Sequence, residues 1–262
     1  MKRIKERFWL WGHEAGSHDR EWNLPQPSRI TPVEAAFYMD VPNVIMVRYG
    51  RDPLYRDRRY ALPFAALRNV VWSIVGAGGT TAEQEREQVC ELAERLPNLS
   101  GVMMDDFFRP GPSAGETGVL SIGQLDQIRR QLVRDTRRLD LWVVLYAHQL
   151  ALPVRQHLDR CDKVSFWTWR AEELGDLERN FAVLEELAPS CGKALGCYMW
   201  DYGNRRPMPL EAMEKQCSVG LRWLREGRIE GMIFLASCIC DLGLETVEWT
   251  RDWIARVGNE VL

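Results

Sequence analysis

The 262-residue chain has no apolar run near the roughly 20 residues a membrane helix needs. Its charged start (Lys2, Arg3, Lys5, Glu6, Arg7) runs straight into an apolar stretch at 8–11, too short for the core of a secretion leader. It has no excess of one charge: 34 Lys and Arg stand against 37 Asp and Glu, a net charge of -3. That balance argues against a nucleic-acid footprint, which needs a concentrated basic face. The Arg-rich stretch 51–59 contains Asp52 and Asp57 and reads as a solvated loop and helix start. Metal-ligand spacing is missing too. The seven cysteines are odd in number and scattered through apolar segments, and Cys238-Ile-Cys240 has no second pair to complete a site. These absences lead us to expect a cytoplasmic protein with reduced cysteines, no cofactor, no resident metal, and no nucleic-acid or membrane partner.

Hydrophobic residues make up 46% of the chain, enough for a sizeable core. Eight apolar runs lie at 8–11, 44–47, 70–75, 102–104, 141–146, 164–167, 195–200 and 232–236. They lack strict alternation, as strands buried on both faces do. Helical stripes separate them. Val89, Leu92, Ala93 and Leu96 form one, with Thr81 and Gln84 as a capping box. Ser121 and Gln124 repeat the capping signal before Leu125, Ile128 and Leu132. Further stripes are Leu174, Leu177, Phe181 and Leu184, then Met213, Cys217, Leu221 and Leu224, closed by Gly227. Val247, Ile254 and Val257 mark a last helix, while Pro63 and Pro153 weaken the second and fifth. Eightfold strand–helix alternation in a chain of this length predicts an α/β fold, one (β/α)8 TIM barrel spanning residues 1–262. The competing open, doubly wound sheet needs a Gly-rich phosphate turn after its first strand, and Trp11-Gly-His-Glu-Ala-Gly16 matches that poorly.

The most informative segment is Gly101-Val-Met-Met-Asp-Asp-Phe-Phe108, a buried-strand run that ends in two adjacent carboxylates. Burying unpaired charge is costly, so Asp105 and Asp106 belong where a strand opens onto a cleft. In TIM barrels that is the C-terminal mouth. The other strand ends supply His13 and Glu14, Arg48 and Tyr49, and the stretch Gly76-Ala-Gly-Gly79. They also supply Tyr146, His148 and Gln149, then Trp167, Thr168, Trp169 and Arg170, then Trp200, Asp201 and Tyr202, and Ser237 with Asp241 nearby. Carboxylates suit general acid and nucleophile work, and flat rings suit the C–H faces of sugars. Acidic ends on strands 7 and 8 disfavour a phosphorylated substrate.

Each candidate also has a plain structural reading. Asp105 or Asp106 would cap a loop or pair with Arg109, and Asp201-Tyr-Gly-Asn204 is a turn signal. His148 reads equally as a satisfied strand-end histidine, and Trp167, Trp169 and Trp200 as packing. His13, Glu14 and His18 match no known metal-ligand spacing.

The Asp105-Asp106 pair after strand 4 resembles that of the substrate-assisted β-N-acetylglucosaminidases built on a TIM barrel. The resemblance implies that the first Asp orients the substrate acetamido group, which attacks the anomeric carbon, and that the second is the general acid/base. Mapped by position, those are Asp105 and Asp106. The placement of Asp106 and Asp201 also resembles retaining barrel glycosidases, with the acid/base on strand 4 and the nucleophile on strand 7. This chain lacks their Asn-Glu dipeptide on strand 4 and has Asp in place of Glu on strand 7. The leading expectation is a glycoside hydrolase acting on small glycosides or oligosaccharides. Catalysis falls to Asp105, Asp106 and Asp201, and substrate contacts to His13, Glu14, Arg48, Tyr146, His148, Trp167, Trp169, Trp200 and Tyr202. The alternatives are a lyase, isomerase or aldolase holding a divalent metal through Asp105, Asp106, Glu14 and His13, and a non-catalytic carbohydrate-binding barrel.

Overall fold

A computed structural model describes residues 2–50, 58–111, 116–134 and 137–262; most of the Arg-rich stretch, 51–57, lies outside them. Eight parallel strands close into a barrel: β1 (Phe8–Gly12), β2 (Asn43–Met46), β3 (Asn69–Val75), β4 (Leu99–Met104), β5 (Asp140–Tyr146), β6 (Lys163–Trp167), β7 (Gly192–Tyr198) and β8 (Gly231–Leu235). Each pairs with the next in sequence, and β8 closes on β1 through Phe8–Met232 to Trp11–Leu235. The strands are buried along almost their whole length, which is why their sequences show no period-2 alternation.

Around the barrel run α1 (Pro32–Tyr38), α2 (Glu83–Arg95), α3 (Ile122–Gln131), α4 (Arg155–Leu158), α5 (Leu177–Leu187), α6 (Leu210–Arg225) and α7 (Glu245–Val257). A 3-10 segment, Arg58–Ala66, fills the place between β2 and β3. The proline-weakened helices are the irregular ones. Pro63 sits inside that 3-10 segment, and α4, which follows Pro153, has only 4 residues. The Ser121 capping box forms at the start of α3, with Ser121 Oγ accepting from the Gln124 N–H at 3.3 Å and Gln124 Oε1 accepting from the Ser121 N–H at 2.9 Å. The one expected at Thr81 does not: α2 starts after Ala82, and Thr81 donates its hydroxyl to Ile74 O at 2.6 Å.

Tryptophans fill the interior. Trp9 of β1 meets Trp142 of β5 at 5.3 Å between ring centroids, although the two strands lie on opposite sides of the barrel. Trp11 meets Trp167 of β6 at 5.3 Å one layer nearer the strand ends. Gly196 on β7 makes room for the second layer, because a Cβ there would sit 2.1 Å from the Trp167 ring. Gly196→Ala is therefore an overpacking change and is expected to cost about 1–3 kcal/mol. A denaturation midpoint equal to that of the unaltered chain would show that the indole moves aside freely.

Candidate active site

A cavity of ≈ 100 Å³ opens at the C-terminal end of the strands. That is somewhat below the size class that admits a single six-membered ring. Its floor is the Trp11–Trp167 layer with Leu235. One wall holds Asp105, Asp106, Tyr146 and Tyr198, and the opposite wall His13, His18, Tyr49 and Tyr202. Trp22 and Trp169, 6.0 Å apart between ring centroids, complete the rim.

Adjacent residues of an extended strand point to opposite faces, so two neighbouring carboxyls do not normally share a cavity. Here Asp106 takes a left-handed backbone (φ 46°), which breaks the alternation and brings both side chains to the same space. Asp105 Oδ1 accepts from the Asp106 N–H at 2.9 Å. Asp106 Oδ1 accepts from the Tyr146 hydroxyl and Oδ2 from the Gly78 N–H, both at 2.7 Å. The left-handed Gly78 and Gly79 in the loop after β3 present that N–H. Burial, and then the neighbouring Asp106, push the Asp105 carboxyl well above the usual carboxylate range, which favours its protonated form. Oδ1 is already engaged as an acceptor, which leaves Oδ2 as the oxygen able to carry a proton. Burial, with these carboxyls adding to it, also pushes the Tyr146 and Tyr198 phenols up, so both remain hydroxyl donors.

The histidines opposite are neutral. Trp11 Nε1–H donates to His13 Nε2 at 3.1 Å, so the ring hydrogen is on Nδ1, 2.8 Å from the Val47 carbonyl. Both His13 nitrogens are thereby engaged, and burial lowers its pKa to about 4. His13 is a wall of the cavity and is available neither as a base nor as a metal ligand. His18 Nδ1 pairs with the Tyr202 hydroxyl at 3.2 Å, and burial, helped by His13, lowers its pKa to about 2. Among the described residues no group of three or more His, Cys, Asp or Glu is arranged to hold a metal ion.

Several residues expected at the site stand apart from it. Asp201 is fully buried, and its Oδ2 accepts from Asn204 Nδ2 at 2.8 Å and Arg206 Nε at 3.0 Å. It belongs to the turn after β7 and does not line the cavity. Trp200 is buried and acts at one remove, donating Nε1–H to the Trp22 carbonyl at 3.0 Å and so holding the rim loop. Arg48 is buried against Glu85, Nε to Oε1 at 2.8 Å, rather than facing substrate. His148 is exposed and stacks on the outside of Tyr146 at 5.4 Å. Trp167 is only 1% exposed and forms floor, whereas Trp169 and Tyr202 line the cavity. Asp241 ties the loop before α1, accepting from the Arg29 and Ile30 N–H groups. Strand-end position points to neither Tyr198 nor Trp22, and it brings in His18 only as a possible metal ligand. The strand reading ended β7 at Trp200, two residues late, which hid Tyr198 inside the run. Trp22 and His18 sit in a loop where periodicity places nothing.

Glu14 is tied to the Tyr49 N–H at 3.1 Å behind the His13 wall, and does not line the cavity. Burial raises its pKa to about 7 against hydrogen bonds that lower it. The folded state therefore binds a proton that the unfolded chain releases above pH 4.5, so this group costs stability as pH climbs from about 4.5 to about 7. Glu14→Gln removes that cost. The variant is expected to gain on the order of 3 kcal/mol relative to the unaltered chain between pH 5 and pH 8, read by urea unfolding. A constant difference across that range would mean Glu14 titrates normally.

The strand order defines a (β/α)8 barrel, and the cavity lies at its mouth. No family model and no curated protein sequence matches the chain. Solved structures do. Active domain 2 of a thermostable chitinase from Pyrococcus furiosus superposes with a TM-score of 0.56 at 14% identity, over 90% of this chain and 85% of that one. A xylanase-α-amylase inhibitor protein superposes at 0.60 and 11% identity, over 97% and 99%. The tryptophan synthase α-subunit from Pyrococcus furiosus superposes at 0.51 and 11%, over 98% and 99%. A hydrolase, an inhibitor and a synthase subunit share this architecture, so the likeness establishes fold alone. No helix among the described residues is long and apolar enough to cross a membrane.

Proposed function

We propose that the chain hydrolyses glycosidic bonds in small glycosides or oligosaccharides, with the reacting sugar seated at the open mouth of the aromatic cavity and only its reacting edge inside. One observation carries this reading: two neighbouring carboxyls in unequal environments open into the same ring-lined space. Environments that push two carboxyls apart assign acid and base roles. The group that protonates a leaving oxygen must hold its proton at working pH, which favours Asp105 as the acid. Asp106, gripped by Tyr146 and Gly78, supplies negative charge beside the anomeric centre. This reverses the roles that position in the pair implied.

Among the described residues no third carboxylate lines the cavity, which favours the substrate-assisted route over a separate nucleophile on β7. In that route the acetamido oxygen of the substrate attacks the anomeric carbon as the C–O bond to the leaving group breaks. The leaving oxygen takes the Asp105 proton, while Asp106 stabilises the charge that develops on the acetamido group. Water then adds at the anomeric carbon and returns a proton to Asp105. The test is an Asp105→Asn/Asp106→Asn double variant on a panel of N-acetylhexosaminides. Loss of cleavage with sugar binding retained supports the proposal. Turnover equal to that of the unaltered chain would move the chemistry to other residues, and no turnover of any glycoside by either protein would leave a binding barrel instead.

A further inference from the structure

A second, open recess of ≈ 380 Å³ lies beside the cavity, lined by Arg20, Glu21, Trp22, Asn23 and Arg205. Trp22 belongs to both, one indole dividing the two spaces. Six non-glycine residues among those described adopt a left-handed backbone, and only Asp40 of the six lies away from the mouth. Four of them (Arg20, Trp22, Asn23 and Arg205) line this recess, and the other is Asp106. Left-handed conformations are sterically unfavourable for side chains larger than glycine, and they persist where the surroundings impose them, often at ligand sites.

The charges in the recess are unevenly engaged. The Glu21 carboxylate already accepts the Tyr49 hydroxyl. The Arg205 guanidinium stands 5.6 Å from the Trp22 ring centre. Neither Arg20 nor Arg205 forms an ion pair among the described residues, and both are exposed. Two guanidiniums without a carboxylate partner in one recess, one of them over an indole face, suit a planar or tetrahedral oxyanion.

We infer that this recess is a subsite for an anionic sugar, a uronate or a sulfated residue, next to the one held at Asp105 and Asp106. The inference rests on the glycoside reading of that cavity. The acidic residue lies in the recess beside the Arg205–Trp22 pair and directs its carboxylate or sulfate to Arg20 and Arg205. The chain thereby selects acidic over neutral oligosaccharides.

Calorimetric binding at 50 and 300 mM NaCl to matched probes tests this. The pairs are trigalacturonate and its methyl ester, hyaluronan tetrasaccharide and its carboxyl-reduced form, and carboxyl-reduced chondroitin tetrasaccharide with and without sulfate. At least one acidic member is expected to bind tenfold or more tighter than its neutral partner at low salt, with the gap closing at high salt. Which pair shows the gap tells carboxylate from sulfate recognition. Arg20→Gln/Arg205→Gln is expected to bring the acidic probe to its neutral partner's affinity, while Arg20→Lys/Arg205→Lys keeps a salt-sensitive preference. Equal binding within every pair overturns the inference, as does a preference that survives the Gln double variant. If Asp105→Asn/Asp106→Asn keeps the preference while the unaltered chain cleaves nothing, the subsite stands and the hydrolase reading falls. Cleavage of neutral glycosides with no acidic preference has the opposite meaning.

Discussion

Asp105→Asn is expected to lose about 10²–10⁴ in kcat/KM on glycosides with alkyl or sugar leaving groups, the usual worth of a positioned general acid. The amide keeps the shape and accepts the Asp106 N–H as before, but has no proton to give. The loss should shrink sharply with dinitrophenyl glycosides, whose leaving oxygen departs without protonation. Equal losses across leaving groups would assign Asp105 to support rather than acid catalysis. The same variant is expected to be more stable at pH 8. The folded chain holds a proton on Asp105 that the unfolded chain releases above pH 3.8, so stability falls as pH rises from there toward the raised folded value. Asn carries no such cost. A substitution that inactivates and stabilises together marks a group kept for chemistry against its folding cost.

Asp106→Asn is expected to lose about 10²–10³ whatever the leaving group, the scale found when one preorganised charge or donor is removed from a transition state. The Tyr146 hydroxyl and the Gly78 N–H then face a neutral amide instead of a carboxylate. Removing Asp106 also takes away the second cause of the raised Asp105 pKa, leaving burial, the larger one. The alkaline limb of the residual activity should therefore move to lower pH. A limb that stays in place would mean the two carboxyls do not sense each other.

The barrel was legible because its strands are buried on both faces and its helices carry clean stripes, so apolar runs and their spacing sufficed. The Asp105-Asp106 pair was legible because adjacent acids at the end of an apolar run make no sense in a core. The unequal burial of the two carboxyls was not, since it comes from the left-handed backbone of Asp106. Asp201, Trp200 and Arg48 sit at strand ends in sequence but turn to loop partners in space: Asn204 and Arg206, the Trp22 carbonyl, and Glu85. Strand-end position tells which residues are near the mouth. It does not tell which of them already have partners.

The indole layers have an optical consequence. Four of the eleven tryptophans (Trp11, Trp22, Trp167 and Trp169) border the cavity, two beneath it and two at its edge. A guest entering there displaces water from the edge pair and leaves the lower pair dry, so emission from the edge pair shifts to the blue while the lower pair serves as an internal reference. The protein thus carries its own reporter of occupancy, readable without a label while a library of saccharides is titrated against it.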